Sequence, residues 1–412
     1  MNILLINHYA GSPSLGMEYR PYHFARQWVK LGHEVTIVAA THSHLRPRPS
    51  GARGLCTEEV VEGVQYLWLG SVPYQRNGPR RGINILSFVG NALAHSRRIG
   101  HQARPDLVIA SSTYPLDIVV ARRIARAHKA RLVFEVHDLW PLTPILLGQM
   151  SERHPFIRLL QWAEDHAYRH ADAVVSMLPC AKEHMVGRGM TPGKYHHVPN
   201  GVDVDAWDSE ESTIPISHSE ALERLRGERR FIVTYAGHHG IANALDQFIE
   251  AAGHSRDLPI TFVLVGDGPL KANLQEKAEE AGLENVLFLP PLPKKSIPSL
   301  LSSSDALFIG WNRSPLYRHG VSPNKLFEYM MAARPVVHAI EAGNDPVAEA
   351  GCGLTIPPGE PVELARAFRE LLTTPPTARA EMGRRGRQFV ETHHDYRVLA
   401  RQFLEFVTVD AG

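Results

Sequence analysis

The chain has 412 residues, 44% of them hydrophobic and 21% charged, with a formal net charge of +1. This composition excludes a mainly disordered chain, and the length predicts about two domains. No run of about twenty apolar residues is present, so the sequence predicts no membrane-spanning helix. The apolar opening MNILLINHYA lacks the basic leader of a signal peptide, which favours a first buried strand and a cytoplasmic location.

The two halves of the chain carry opposite charge. Residues 1–200 contain 23 Lys and Arg against 14 Asp and Glu, whereas residues 201–412 contain 21 against 29. A basic half favours contact with phosphates, nucleic acid or an anionic membrane surface. A solvated basic face is an equally good interpretation of the same charges.

Short apolar strands alternate with helical patterns along both halves. The first half contains the strand-like segments NILLINHY, HEVTIVAA, VQYLWLG, DLVIASS, RLVFEVH, DAVVSML and YHHVPN. The second half contains FIVTYAG, ITFVLVGDG, NVLFLPP, DALFIGW, RPVVHAI and GCGLTIP. Strands that are apolar throughout are typical of parallel sheets covered on both faces. The sequence therefore predicts an α/β protein with two doubly wound domains, joined by the acidic stretch 204–223.

The loop after the first strand contains Gly11, Pro13 and Gly16 and precedes a helix that begins near Tyr19. Glycine allows backbone N–H groups to approach a phosphate, and a helix N-terminus adds partial positive charge. The glycine spacing matches neither a Walker loop nor a dinucleotide fingerprint. An ordinary strand-to-helix loop therefore remains the alternative to a phosphate site.

The segment RRGINILSFVGNALAHSRRIG, residues 80–100, places apolar side chains between two arginine pairs. Such a segment is typical of a helix that lies on an anionic membrane surface, where it would suit a lipid-linked substrate. A helix packed on the domain core is the alternative interpretation.

The strand FEVHDLWP ends on His137 and Asp138, followed by a proline that stops the element. Ligands of doubly wound sheets bind beyond the carboxyl ends of the strands, where a histidine can bond a sugar hydroxyl and a carboxylate can accept a proton. An aspartate that caps the next turn is the alternative role for Asp138.

The segment GVSPNKLFEYMMAARPVV, residues 320–337, predicts a helix that starts after Ser322 and Pro323. Lys325 falls in the first turn, where a cation opposes the helix dipole. A bound anion would explain the lysine. A diphosphate at this helix start would receive backbone N–H bonds and the ammonium, with Glu328 placed to accept bonds from a ribose diol.

Seven motifs occur in one order along the chain: LGMEYRPYHFARQWVKLGHEVTIVAA, FEVHDLWP, VPNGVD, YAGHHG, LVGDGP, SPNKLFEYM and DPVAEAGCGL. In these motifs the chain resembles family 4 glycosyltransferases of the GT-B type, and more narrowly the bacterial subgroup that transfers N-acetyl-L-fucosamine in O-antigen assembly. The resemblance implies two Rossmann-like domains facing a cleft. Residues 1–205 would bind the acceptor and residues 206–392 the nucleotide-sugar donor, while a last helix, about 393–412, would return to the first domain.

The resemblance assigns roles to single residues of this chain. It places Gly16 near the donor diphosphate, His137 on the donor sugar and Glu328 on the ribose. The family's first motif glutamate, its phosphate-binding arginine and its lysine fall here at Gly320, His238 and Asn243. The cationic ligands of the donor phosphates are therefore lost or weakened. We expect Lys325, the helix start, His238 and Arg318 to replace them, because a departing diphosphate needs cationic or N–H stabilisation.

The complete predicted site has three groups of residues. His137 and Asp138 are the predicted catalytic residues. The predicted donor ligands are Gly16, Gly237, His238, Leu292, Lys325 and Glu328. Further predicted contacts with donor or acceptor are Glu18, Arg20, Arg318 and Asn324. No metal site is predicted, because Asp203-Val204-Asp205 is interpreted as a turn and the adjacent histidines lack chelating spacing.

The resemblance implies a retaining, metal-independent glycosyltransferase without a resident cofactor. The acceptor hydroxyl would attack on the face from which the nucleotide diphosphate leaves. The expected donor is a UDP-sugar carrying an N-acetylated deoxyhexose, and the expected acceptor is a polysaccharide or a polyprenyl-diphosphate-linked glycan. We expect no nucleic-acid partner and a peripheral contact of the basic half with the inner face of the plasma membrane. A UDP-sugar epimerase of the same fold and a catalytically degenerate binding protein are the alternatives.

Overall fold

The structure, a computed structural model, describes residues 1–13, 15–16, 18–43, 56–74, 78–209 and 213–408, apart from the side chain of Pro79. The chain forms two compact units. Unit 1 comprises Met1–Asn200 and the described chain from Tyr396 onward, and unit 2 comprises Gly201–Asp395. The predicted boundary after residue 205 lies within a short helix of unit 2.

The sheet of unit 1 has eight strands: β1 (Asn2–Ile6), β2 (Glu34–Ala40), β3 (Cys56–Val61), β4 (Val64–Leu69), β5 (Leu107–Ala110), β6 (Arg131–Val136), β7 (Ala173–Ser176) and β8 (Tyr195–His197). Their order is β3-β4-β2-β1-β5-β6-β7-β8, and only β3 pairs antiparallel. The order reverses between β1 and β5. Doubly wound sheets bind ligands at the carboxyl ends of the strands beside such a reversal.

The helices of unit 1 are α1 (Arg20–Lys30), α2 (Pro79–Ala94), α3 (Ser96–Ala103), α4 (Ile118–His128), α5 (Leu142–Leu146), α6 (Pro155–His170), α7 (Lys182–Gly187) and the last helix of the chain, α17 (Tyr396–Thr408). The longer ones are amphipathic: in α4, for example, Val120, Ala121 and Ile124 are buried while Arg123 and Arg126 are exposed.

Helix α17 completes the core of unit 1 by packing on α1. The Phe403 ring lies 5.2 Å from that of Trp28 and 5.5 Å from that of Phe24, measured between centroids. The Trp28 indole N–H donates to the Ala400 carbonyl at 3.0 Å. These aromatic contacts bind the end of the chain to its first helix.

Unit 2 contains a parallel six-stranded sheet: β9 (Phe231–Ala236), β10 (Ile260–Val265), β11 (Val286–Leu289), β12 (Ala306–Gly310), β13 (Val336–Ala339) and β14 (Gly353–Ile356). Their order is β11-β10-β9-β12-β13-β14, so the reversal lies between β9 and β12. The buried side chains form one cluster on each face of this sheet.

The helices of unit 2 are α8 (Val204–Trp207), α9 (Ile216–Gly227), α10 (Leu245–Gly253), α11 (Lys271–Glu280), α12 (Ile297–Ser302), α13 (Asn324–Met331), α14 (Pro346–Ala350), α15 (Pro361–Thr373) and α16 (Pro376–His393). In the part of the chain that the structure describes, no helix is long and apolar enough to cross a membrane.

The predicted fold class is confirmed, because both sheets are doubly wound and parallel apart from the β3–β4 pair, and every predicted strand is present. The sequence analysis omits one strand, and one local prediction is wrong. Strand β3 was not predicted, since it is a half-exposed edge strand without a continuous apolar pattern. The stretch 204–223 is not a plain connection but contains α8 and most of α9, because Leu222 and Leu225 are buried on the sheet.

The segment 80–100 forms α2 and the start of α3. Ile85, Phe88 and Ala92 are buried in the core of unit 1, whereas Ile83 and Leu86 are about half exposed. The core-helix interpretation therefore accounts for one face of α2, and the exposed pair lies on the other.

Phe403→Ala should lower the free energy of unfolding of unit 1 by about 3–5 kcal/mol, because it removes a fully buried ring and leaves a cavity between α1 and α17. Urea denaturation followed by circular dichroism measures this loss. Arg401→Ala, on the exposed face of the same helix, should change the value by less than about 0.5 kcal/mol. Equal stability of the two variants would contradict the packing described here.

Candidate functional site

The polar side chains of unit 2 converge beyond the carboxyl end of β9, beside the reversal in strand order. Three glycines allow the loops after β9 and β10 to meet. A Cβ atom on Gly266 would lie 2.0 Å from the Gly237 carbonyl oxygen, and one on Gly268 would lie 2.6 Å from the His239 carbonyl oxygen. Both loops therefore approach backbone to backbone, which only glycine permits.

Lys325 lies against this glycine loop from the first turn of α13. A Cβ atom on Gly237, whose φ is +149°, would lie 2.8 Å from both Cε and Nζ of the lysine. The Nζ donates to the Tyr235 hydroxyl at 2.7 Å and to Asn243 Oδ1 at 3.0 Å. It also lies 4.2 Å from the centroid of the Tyr235 ring.

The ammonium of Lys325 has only neutral partners. Among the described residues it makes no ion pair with a carboxylate. Burial lowers the pKa of Lys325 to about 7, against the raising effect of the more distant Glu328 carboxylate. The first turn of α13 contains no acidic residue, and Pro323 provides no side-chain cap. The helix N-terminus and the lysine thus form a positive site without a compensating charge.

The loop after β9 is held by two side-chain donors that bind one carbonyl. The Tyr235 hydroxyl and the Asn243 amide donate to the His238 carbonyl oxygen at 2.8 and 2.9 Å. Burial raises the pKa of Tyr235 well above its usual value, so its hydroxyl keeps this proton. The His238 side chain is exposed, whereas the ring of His239 is enclosed. As expected for neighbours in an extended segment, the two histidines point in opposite directions.

A cavity of about 240 Å³ adjoins this loop at the carboxyl ends of β9, β10 and β11. Three of the predicted donor ligands, Gly237, His238 and Leu292, line it together with Ala236, Val265, Gly266, Asp267, Pro291 and Ile297. Glu328 lies one turn beyond Lys325 on α13, and its carboxylate forms an ion pair with Lys294. The five predicted donor ligands of unit 2 therefore belong to one region of the sheet edge.

The remaining residues of this region differ in how well they fit the prediction. The Asn324 Oδ1 is buried at the start of α13 without a hydrogen-bond partner in the described residues. Arg318 is exposed and donates to His319, and no contact joins it to Lys325. Gly320 has a φ of +94°, a backbone conformation that a glutamate rarely adopts. The backbone conformation at residue 320 therefore suits the glycine of this chain better than the glutamate of the family pattern.

In unit 1 the carboxyl end of β6 carries His137, which is 9% exposed. Its Nε2 lies 3.1 Å from Glu135 Oε2 and 3.0 Å from the Ser111 hydroxyl. Asp138 is held in the following turn, where its Oδ1 accepts from the Leu139 N–H and the Thr143 hydroxyl. Burial raises the pKa of Asp138, against the lowering effect of these bonds. This geometry favours the capping role over the catalytic one.

The loop after β1 closes on itself as a hairpin. The Gly16 N–H donates to the Ser12 carbonyl at 2.8 Å, and the Glu18 N–H donates to the Tyr9 carbonyl at 3.1 Å. Gly16 has a φ of +105°, which explains the glycine. Because its N–H already donates to Ser12, Gly16 has no free backbone amide with which to bind the phosphate that the sequence predicts there. Glu18 is partly exposed at the base of the hairpin.

The prediction that Arg20 contacts a ligand is wrong. Its side chain is 0% exposed and is bound to Glu135 inside unit 1. In the sequence Arg20 follows a polar loop at the start of a helix, which is typical of an exposed position. In the folded chain the Val198 and Pro199 carbonyls and Glu135 enclose its side chain.

Three residues of the site were missed from the sequence. Tyr235 and Glu135 lie inside apolar strands, and Ser111 follows β5 directly. A carboxylate within a continuous apolar strand is a signal for Glu135, since such a group is almost never buried without a partner. Tyr235 is typical of a buried strand and carries no such signal.

No group of three His, Cys, Asp or Glu side chains suited to holding a metal ion occurs within the described ranges. The polar groups of both units can bind phosphates and hydroxyl groups through N–H, ammonium and imidazole donors and acceptors.

Two family profiles match the chain. "Glycosyl transferase 4-like domain" matches residues 16–201, and "Glycosyl transferases group 1" matches residues 220–389. All residues of the first match except Gly201 lie in unit 1, and the second match lies within unit 2.

Among similar proteins, the putative colanic acid biosynthesis glycosyl transferase WcaI of Escherichia coli is 28% identical over 77% of this chain and 78% of its own length. The alpha-D-kanosaminyltransferase of Streptomyces kanamyceticus is 27% identical over 53% of this chain, which spans only 55% of that relative. HepE of Anabaena, solved in complex with UDP and glucose, has a TM-score of 0.66, 17% identity and 99% coverage of both chains. This last likeness concerns the fold.

Asp138→Ala should lower the stability of unit 1 by about 1–3 kcal/mol, because it leaves the Leu139 N–H and the Thr143 hydroxyl without their acceptor. Asp138→Asn keeps an acceptor oxygen and should retain most of the stability. Thermal unfolding of both variants measures the difference. Loss of activity in Asp138→Asn at unchanged stability would instead identify the carboxylate as a base.

Proposed function

The chain is a glycosyltransferase of the GT-B fold, with a glycosyl transferase 4-like domain followed by a group 1 domain, and from this we propose that it transfers a sugar from a UDP-sugar to a glycan acceptor in bacterial surface-glycan synthesis. The proposed sugar is an N-acetylated deoxyhexose, and the proposed acceptor is a polysaccharide or lipid-linked glycan. The relatives named for colanic acid synthesis and kanosamine transfer support a sugar-transfer role.

The observation that carries the proposal is the uncompensated ammonium of Lys325 at the start of α13. A partly buried lysine whose partners are a phenol and an amide is stabilised in its charged form by an anion, because partial burial alone disfavours that charge. The donor diphosphate supplies that anion. It would receive N–H bonds from the first turn of α13 and the charge of Lys325.

The cavity beside Gly237 supports a position for the nucleoside. Its volume of about 240 Å³ and the apolar side chains of Leu292, Val265 and Ile297 suit a pyrimidine ring. Glu328, held by Lys294 at the same edge, would then accept hydrogen bonds from the ribose diol.

The proposed chemistry is a substitution that retains the anomeric configuration. The acceptor oxygen forms a bond to the anomeric carbon on the face from which the diphosphate leaves, and the bond from that carbon to the phosphate oxygen breaks. The leaving diphosphate takes the acceptor proton. Lys325 and the N–H groups of α13 would stabilise the charge that develops on it, and no protein nucleophile takes part.

A second candidate is a binding protein without turnover. The observation that favours it is at position 320. The resemblance places a glutamate beside the transferred sugar there, but this chain has Gly320, whose φ is positive. Release of UDP that requires an acceptor supports transfer. Binding of UDP without any release from UDP-sugars, across a panel of glycan acceptors, would support the second candidate.

UDP binding should weaken as the pH rises above 7. Lys325 has a pKa of about 7 in the free protein and must be charged to bind the diphosphate, so binding takes up a proton at higher pH. The affinity should fall by up to about tenfold per pH unit above 7. Calorimetry in buffers of different ionisation enthalpy measures the proton uptake.

Lys325→Met should weaken UDP binding and remove this pH dependence. Lys277→Met is the matched control, because Lys277 is partly exposed and already paired with Glu250. The titration of UDP itself is common to all three proteins and cancels in the comparison. A Lys325→Met protein with the pH profile of the wild type would contradict the assignment.

Glu328→Ala should abolish the stabilisation of the protein by UDP, because the ribose diol loses its acceptor. At a UDP concentration of 100 times the Kd, the wild type should gain about 2.7 kcal/mol. A thermal-shift assay detects this gain. Glu363→Ala, which removes an exposed glutamate of α15, should keep it. Equal shifts in the two variants would mean that the nucleoside binds elsewhere.

We propose in addition that unit 1 contacts an anionic membrane surface at the inner face of the plasma membrane. Ile83 and Leu86 of α2 and Leu159 and Trp162 of α6 are between 37% and 52% exposed. A groove of about 610 Å³ runs between α2, α4 and α6, and its lining includes Arg122, Arg123, Arg126, Trp162 and His166. Exposed apolar side chains beside arginines are typical of surfaces that bind anionic lipids.

The double variant Arg123→Glu with Arg126→Glu should weaken binding to vesicles that contain phosphatidylglycerol by about tenfold or more, since each arginine near such a surface contributes about 1 kcal/mol. Co-sedimentation measures the bound fraction. The same charge change in unit 2, Arg366→Glu with Arg384→Glu, should leave binding intact. If the wild type co-sediments equally well with purely zwitterionic vesicles and with vesicles that contain phosphatidylglycerol, the proposal is wrong.

A further inference from the structure

A charged pair lies inside unit 1, where isolated charges are strongly unfavourable. Glu135 lies within β6 with 2% of its surface exposed, and Arg20 begins α1 with 0% exposed. The Nε of Arg20 lies 3.0 Å from Glu135 Oε1, and its second terminal nitrogen lies 2.9 Å from the same oxygen. The pair leaves the other oxygen of Glu135 available for further contacts.

The guanidinium of Arg20 is fixed from both sides. Its terminal nitrogens donate to the carbonyl oxygens of Val198, at 2.8 Å, and Pro199, at 2.5 Å. Burial alone would raise the pKa of Glu135, but the charge of Arg20 and the hydrogen bonds from His137 and Ser111 lower it. Glu135 is therefore an anion, which can only accept hydrogen bonds.

The second oxygen of Glu135 faces two groups. The Ser111 hydroxyl lies 2.5 Å from Oε2, and His137 Nε2 lies 3.1 Å from the same atom. Since the carboxylate has no proton, both groups must donate to it. A His137 ring with its proton on Nδ1 would place two lone pairs 3.1 Å apart. Of the two neutral tautomers, only the Nε2–H form satisfies these contacts.

The other ring nitrogen of His137 has no hydrogen-bond partner among the described residues, and it is not one of their enclosed, unsatisfied atoms. In the Nε2–H tautomer this Nδ1 carries a lone pair. A lone pair at the carboxyl end of β6 can accept a hydrogen bond from a hydroxyl, but it repels phosphate and carbonyl oxygens.

We propose that Arg20 and Glu135 are positioning residues that hold His137 as the Nε2–H tautomer, so that its Nδ1 accepts a hydrogen bond from a sugar hydroxyl of the substrate. The proposal rests on the proposed glycosyl transfer for the identity of that hydroxyl. The buried ion pair thereby acts through His137 on the orientation of the sugar, beyond its part in holding the chain at Val198 and Pro199.

The tautomer can be measured directly by NMR on the full chain labelled with ¹⁵N-histidine. Correlations between ring nitrogens and carbon-bound protons distinguish the two tautomers, and the His137 signals are identified by their loss in His137→Gln. The expected result is the Nε2–H pattern in the ligand-free protein. An Nδ1–H pattern, or the pattern of a doubly protonated ring, would overturn the proposal, whether or not the protein transfers sugars.

Turnover tests the consequence of losing the pair. Glu135→Gln alone would leave the buried Arg20 without its counter-charge, which destabilises the fold. The variant used is therefore Arg20→Met with Glu135→Gln, which removes both charges. Glutamine can present either an oxygen or an NH₂ group to His137, so the tautomer is no longer fixed. We expect kcat to fall about tenfold to a hundredfold, as when a histidine loses its outer partner, with UDP affinity unchanged.

Glu164→Gln is the matched control, because Glu164 is also buried and lies 3.3 Å from a histidine, His184. It should keep the wild-type kcat. Unchanged kcat in the folded Arg20→Met, Glu135→Gln protein would overturn the proposal. A wild type with the Nε2–H tautomer and no sugar transfer would support the positioning of His137 and contradict only the proposed function.

Discussion

A parallel strand that is covered by helices on both faces can present polar side chains to a ligand only beyond its ends. Both sheets of this chain obey that constraint, because their central strands are buried along their whole length. The reversal of strand order then determines where the loops separate enough to admit a ligand. The candidate sites of both units therefore lie at carboxyl ends, after β9 in unit 2 and after β1, β5 and β6 in unit 1.

The two units each contain a cation that is removed from solvent, fully for Arg20 and partly for Lys325, but the partners of the two cations differ. In unit 1 the guanidinium of Arg20 is matched by Glu135 and by carbonyl oxygens, so the charge is satisfied by the protein itself. In unit 2 the ammonium of Lys325 has only a phenol and an amide beside it. A compensated cation stabilises a fold, whereas an uncompensated one favours an anionic ligand. The difference separates a structural role from a binding role for two residues that both lie in the first turn of a helix.

The three departures from the family pattern have physical accounts. Asn243, at the position of the family's lysine, contacts Lys325, so a cation reaches that place from α13 instead. His238 keeps an exposed ring at the cavity edge, while its carbonyl is held by Tyr235. Gly320 takes a positive φ, which makes a simple return to glutamate unfavourable. The lost groups are thus replaced or excluded by the local backbone.

The sequence by itself determined the two parallel sheets, the last helix and the start of α13, because apolar periodicity and turn chemistry are local properties of the chain. It also placed Lys325 and Glu328 in the first half of α13 and His137 at the carboxyl end of β6, since a helix start and a strand end are both visible in the sequence. For Asp138 the sequence left a cap and a catalytic role open, and the structure shows the local contacts of the cap. Only the tertiary structure decided that Arg20 is enclosed and that Glu135 contacts both Arg20 and His137. These outcomes depend on contacts between residues up to 179 positions apart, and no local pattern records which distant group will satisfy a buried charge.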